Sequence, residues 1–267
     1  MEESTNLKLR LDELFQRWKT KAPSQGLSYH DEHVELPLTI DHQTKGFISD
    51  GVVCPETWIS EKRKILFVLK EAYCDKTNGF DLVAELNKCG PWGGVWNRCV
   101  EWAYGIMAVS KDRPMTPYRS VDKEEANSYL KRVAVLNLKK SDGNSSSNMS
   151  EVEQYAGFDA KEIKEEIKII DPDIVICGSV FYLLRTKVFD ESLMGEGAFA
   201  GQWNDNWYYW TKSLTGRPTL IIDFYHPANR YPAVLNYYAL MGIYYQAIRD
   251  RLRIESVGGV DWVADIT

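Results

Sequence analysis

The chain is 267 residues long, 44% apolar and 26% charged, which favours one large domain with a sizeable core under a charged surface. No apolar run approaches the roughly 20 residues of a membrane span, and the acidic start Met1-Glu2-Glu3 has no apolar signal core, so a cytoplasmic location is expected. A net charge of −6 argues against a general nucleic-acid coat, while leaving room for a local basic mouth on an acidic body.

In chain order, Leu7, Leu11, Leu14, Phe15 and Trp18 recur at three- and four-residue steps, the stripe of an amphipathic helix. Residues 33–48 alternate and predict a hairpin, so residues 1–49 read as a helix-plus-hairpin extension of a single domain spanning 1–267. Asp50-Gly51 is a turn signal. Continuous apolar runs follow at 65–69 (ILFVL), 133–136 (VAVL), 174–177 (IVIC) and 219–222 (TLII). Unbroken runs suit strands covered on both faces. Helical patterns over 94–107, 122–131 and 151–170 separate them, and 233–253 predicts a closing helix. Strands alternating with helices predict a three-layer α/β/α sandwich around a short, mainly parallel, four-stranded sheet. Residues 141–148 read as a polar loop after the second strand.

Five cysteines, Cys54, Cys74, Cys89, Cys99 and Cys177, form no C-x-x-C pair, so neither a disulfide framework nor a zinc site is expected. His30, His33 and His42 match no metal pattern, and no glycine-rich nucleotide loop occurs. No cofactor and no metal are expected.

Ligands of open α/β sheets bind beyond the carboxyl ends of the strands. The residues that follow the apolar runs are Lys70-Glu71-Ala72-Tyr73-Cys74-Asp75, Asn137-Leu138-Lys139-Lys140, Gly178-Ser179, and Asp223 to Arg230. They bring a carboxylate (Glu71), an amide (Asn137) and an imidazole (His226) towards one cleft. Lys70, Lys139, Lys140 and Arg230 would ring it with positive charge.

Four segments in this order resemble the motifs of the uracil-DNA glycosylase superfamily: ILFVLKEA (65–72), VAVLNLKK (133–140), PDIVICGS (172–179) and YHPA (225–228). The likeness extends from about residue 50 to about residue 250. Glu71 falls where the thermostable iron–sulfur branch has glutamate, and Ala72 where the main uracil-specific branch has aspartate. Lys70 and Tyr73 replace the usual glycine and proline, and the cysteine spacing of an iron–sulfur cluster is missing.

The resemblance implies a monofunctional DNA glycosylase that leaves an abasic site, acting on uracil or on a modified or damaged base. Glu71 would stabilise the oxocarbenium-like sugar or position water, with Asp75 in reserve. His226 would hydrogen-bond the base carbonyl, and Asn137 would read the base edge. Tyr73 or Phe80 would stack on the flipped base, and Arg230 or Tyr231 would fill its vacated place. Lys139 and Lys140 would hold phosphates, so that Lys70, Lys139, Lys140, Asn229, Arg230 and Tyr231 make up the expected DNA-contacting set. The breadth of the family, rather than any residue, suggests modified phage DNA and antiviral defence as a setting.

Plainer readings stand beside these. Glu71 reads equally as a helix cap or a partner of Lys70, Asn137 as a loop-satisfying amide, His226-Pro227 as a rigid turn, and the lysine pair as a solvated face. Trp203, Trp207, Tyr208, Tyr209 and Trp210 read as a packed hairpin or a stacking platform for an enlarged base. Rival functions are a DNA-binding module of the same fold that has lost the chemistry, and an N-glycosidic hydrolase of free nucleosides or nucleotides.

Overall fold

The computed structural model of the chain describes residues 2–73, 79–144, 146–194, 199–200 and 207–251. The chain opens with helix α1 (Glu2–Lys19), strands β1 (Leu27–Asp31) and β2 (Val34–Leu38), the short strands β3 (Phe47–Ser49) and β4 (Gly51–Val52), and helix α2 (Pro55–Ile59). Strand β5 (Ile65–Tyr73) leads through β6 (Gly79–Asp81) and helices α3 (Leu82–Cys89), α4 (Gly93–Met107) and α5 (Lys123–Leu130) to β7 (Val133–Gly143). Helices α6 (Met149–Phe158) and α7 (Ala160–Ile170) lead to β8 (Ile174–Gly178), followed by α8 (Phe181–Leu183) and a π-helical turn, Leu184–Val188. Strands β9 (Phe199–Ala200), β10 (Tyr208–Thr211) and β11 (Thr219–Phe224) precede the closing helix α9 (Ala233–Arg251).

The fold is mixed α/β, built on a mainly parallel sheet. The sheet has seven strands among the described residues, in the order β4-β7-β5-β8-β11-β10-β9, so the expectation of four is corrected. The four apolar runs do form its parallel centre: β7 and β8 both pair with β5, and β11 pairs with β8. Antiparallel β4 extends one side, and antiparallel β10 and β9 extend the other. Those additions are too short, or too rich in aromatics, to read as central strands.

Alternation within each run divides the core in two. Ile65, Phe67, Val133, Val135, Ile176, Leu220 and Ile222 join one buried cluster with side chains of α3, α4, α5 and α9. Leu66, Val68, Ala134, Leu136, Val175, Cys177 and Ile221 join a second with α1, α6 and α7. Burial on both faces is why these strands carry no polar alternation. Helix α1 supplies Leu7, Leu11, Leu14, Phe15 and Trp18 to the second cluster, so the amino-terminal segment completes a core.

Three expected boundaries move. The hairpin is β1–β2, turning at Glu32 with φ 52° rather than lying at 33–48. The helical pattern over 151–170 is broken at Asp159, which is fully buried against His42, 3.0 Å away, and Lys21, 3.3 Å away. Strand β7 continues through Ser141-Asp142-Gly143 because Gly143 pairs with Tyr73, which shortens the polar loop from its start.

The chain runs from β5 to β7 on one side and then from β7 to β8 on the other, so the strand order reverses beside β5. The crossover through α3–α5 covers one face and that through α6–α7 the other. Such a reversal opens a crevice at the carboxyl ends of the flanking strands, the usual ligand position in open α/β sheets.

Candidate active site

Register brings the expected residues to one end of the sheet. Asn137 on β7 lies opposite Leu69 on β5, Val68 opposite Cys177 on β8, and Gly178 opposite Phe224 on β11. Lys70, Ser179 and His226 therefore follow immediately beyond one level of adjacent strands.

His226 is the best-defined of them. Its backbone N–H donates to Ser179 Oγ at 2.9 Å, and the Ala228 N–H donates to its Nδ1 at 3.1 Å. Accepting at Nδ1 fixes the neutral ring in the tautomer that carries its proton on Nε2. Burial, and then the charge of nearby Lys70, lower the imidazole to about 4. His226 is thus a neutral donor at neutral pH. Ser179 holds its own backbone at φ 58°, with its N–H bonded to Phe224 O at 2.7 Å. A Cβ on Gly178 would lie 2.8 Å from Leu69 Cδ2, 3.2 Å from Pro227 and 3.4 Å from the His226 ring. Only glycine lets the histidine turn close this tightly on the strand ends.

The turn itself is clamped. Arg98 of α4 donates to the carbonyls of Pro227, Asn229 and Tyr231 at 2.9, 2.6 and 2.8 Å. The Asn229 side chain bonds His226 O and Tyr231 N and exchanges bonds with Asn236. Asn229, expected to touch DNA, is occupied as a loop brace. Arg230 and Tyr231 are exposed.

The other members differ from expectation. The Glu71 side chain is 3% exposed and pairs with Lys139, whose Nζ lies 2.9 Å from Oε2 and 3.0 Å from Glu151. Burial alone would lower the Lys139 ammonium, but Glu71 and Glu151 outweigh it and hold it above an ordinary lysine. Lys140 is fully buried between Asp50 and Glu166. Neither lysine reaches the surface, so the expectation that they hold phosphates is corrected: each ammonium is buried and neutralised by two carboxylates, out of reach of a phosphate in solvent.

Asn137 is also buried, its backbone N–H and Nδ2 donating to Asp50 Oδ2 at 2.7 and 3.1 Å. Its amide orientation is fixed by Asp50, a residue the sequence presents only as a turn signal. Tyr73 is 68% exposed, whereas Phe80 is partly buried and packs against the core. Cys74, Asp75 and Trp203 lie outside the described residues.

Two further groups carry no expected role in the sequence. Asp223, two residues beyond Ile221 on β11, is raised by burial to about 6, with Arg185 pulling it back. Its position at a strand end is a signal that was available. Arg98 sits in the middle of a helix, and nothing local marks it. Among the described residues no group of His, Cys, Asp or Glu is arranged to hold a metal, and no helix is long and apolar enough to cross a membrane. No protein-family model matches the chain, and no curated protein matches it by sequence.

Proposed function

We propose that the chain is a DNA glycosylase that hydrolyses the N-glycosidic bond of an unstacked uracil or modified base, in a three-layer relative of the uracil-DNA glycosylase fold. The observation that carries this reading is His226: a neutral imidazole with its proton on Nε2, held in a clamped turn near Lys70 at the carboxyl end of the sheet. As the C–N bond breaks, negative charge builds on the departing base, and a preorganised neutral donor stabilises it without first giving up a proton. Lys70 adds positive charge on the same side. Water supplies the new C–O bond and the proton that the base finally takes. Glu71 is the carboxylate nearest the motif position for stabilising the sugar cation.

One observation favours a second reading. Glu71 is nearly inaccessible and neutralised by Lys139, the state expected of a module that binds a nucleotide without cutting its bond.

Alkali cleavage separates the two. Protein is incubated with oligonucleotides carrying uracil, hypoxanthine, or hydroxymethylated or glucosylated cytosine, then treated with base. Scission at the modified position is expected, with His226→Ala lowering the rate by about 10²- to 10³-fold and Glu71→Gln by ~10²-fold or more. Binding without scission would favour the inactive module, and near-parental rates in both variants would remove the mechanism.

A further inference from the structure

Three aromatic side chains border the His226 turn. Tyr225 precedes the histidine and is 38% exposed; Tyr231 closes the turn and is 56% exposed. Trp207, half-buried beside β11, completes the row. The rings run in sequence, with Trp207 to Tyr225 at 5.4 Å and 56°, and Tyr225 to Tyr231 at 5.4 Å and 57°. Trp207 also meets the buried Phe224 edge-on at 6.2 Å, which roots the row in the core. Large aromatic faces left in water beside a clamped polar turn are not explained by packing.

We infer that Trp207, Tyr225 and Tyr231 form a stacking ledge for unpaired bases, and that the substrate is presented to His226 as single-stranded DNA. The inference rests on the reading of the His226 end as a DNA base site and adds the strandedness of its substrate. Bases within a duplex have both faces covered by neighbours, so only unstacked bases can lie on these rings. The rings are tilted to one another, which offers successive bases separate faces and does not suit the flat end of a stacked helix. Backbone rigidity supports the same use: Arg98 bonds three carbonyls of the turn, and Asn229 holds the Tyr231 N–H at 2.9 Å. A preorganised ledge loses little entropy on binding. Exposed Arg230, between the histidine and Tyr231, and Lys70 supply positive charge for the phosphates that follow each stacked base. On this inference Tyr231 belongs to a platform beside the strand and is not a wedge driven into a duplex.

The test is fluorescence anisotropy with labelled oligothymidylate and with a duplex of equal length, at one fixed salt concentration. Parent protein should bind the single strand more tightly than the duplex. Tyr225→Ala and Tyr231→Ala should each weaken single-strand binding by roughly ten-fold, and Tyr231→Phe should keep it, since stacking needs the ring and not the hydroxyl. Thermal melting checks the fold; if alanine at Tyr225 disturbs it, Tyr225→Leu retains apolar bulk without the ring and should show the same loss.

Equal binding of single strand and duplex by the parent, or parental affinity in a folded variant carrying both Tyr225→Ala and Tyr231→Ala, would overturn the ledge. So would dimerisation abolished by the same variants without any binding of oligothymidylate. Weakened binding by the tyrosine variants with no excision of any base leaves the ledge standing and removes the glycosylase. Excision with unaltered binding in those variants does the reverse.

Discussion

Burying an ammonium costs several kcal/mol unless carboxylates surround it, and Lys140 is buried completely between Asp50 and Glu166. Burial raises Glu166 well above an ordinary glutamate, against the pull of the Lys140 ammonium. Lys140→Met leaves Asp50 without its cation and should destabilise the protein by about 3–5 kcal/mol, measured by urea unfolding. Where the variant still folds, the salt dependence of any DNA binding should not change, because this ammonium releases no counterion. In the sequence Lys139 and Lys140 form an adjacent basic pair suited to phosphates. The partners that consume them, Glu71 across the β5–β7 pairing and Asp50 and Glu166 from other elements, emerge only with the strand register and the packing of α7.

At the scale of elements, the His226 turn owes its shape to its neighbours more than to its own residues. Arg98 reaches across from α4 with a planar fork that meets three carbonyls. Arg98→Ala should cost on the order of 2 kcal/mol, given the strength of hydrogen bonds from charged donors. It should reduce oligonucleotide binding as well as base excision, because the same side chain holds Tyr231 and the turn that carries His226. Arg98→Lys should not restore excision, since a single ammonium cannot span the fork's contacts; full rescue by lysine would count against the clamp.

The four parallel strands were legible because burial on two faces writes itself as continuous apolar runs. The break between α6 and α7 was not, because the buried bond from Asp159 to His42 joins segments more than a hundred residues apart. Gly178 and His226 were legible as a glycine turn and a strand-end histidine. The neutral tautomer of His226 and the burial of Glu71 depend on contacts no local pattern encodes.

The molecule as a whole integrates its titrating groups, and two of them oppose one another. His226 falls to about 4 from 6.5 on folding, so between those values the unfolded chain binds more protons. Its contribution is intact above pH 6.5 and is lost as pH falls towards 4. Asp223 rises to about 6 from 3.8, so the folded chain binds more protons in that interval, and the burden of its buried charge is relieved on acidification. The two slopes overlap and partly cancel. Asp223→Asn removes the compensating member, and its melting temperature should fall more steeply than the parent's between pH 6 and pH 4. His226→Gln should tilt the profile the other way, because Asp223 alone then makes the fold gain stability on acidification through that interval. Calorimetry across that range checks both, and identical profiles for Asp223→Asn and parent would remove Asp223 from the account.

Among the described residues the sheet ends on each side in a strand of two residues, Gly51–Val52 and Phe199–Ala200. Unpaired strand margins are where foreign chains add themselves in register and start fibrous growth. A margin as brief as Gly51–Val52 gives an incoming segment almost no backbone to copy.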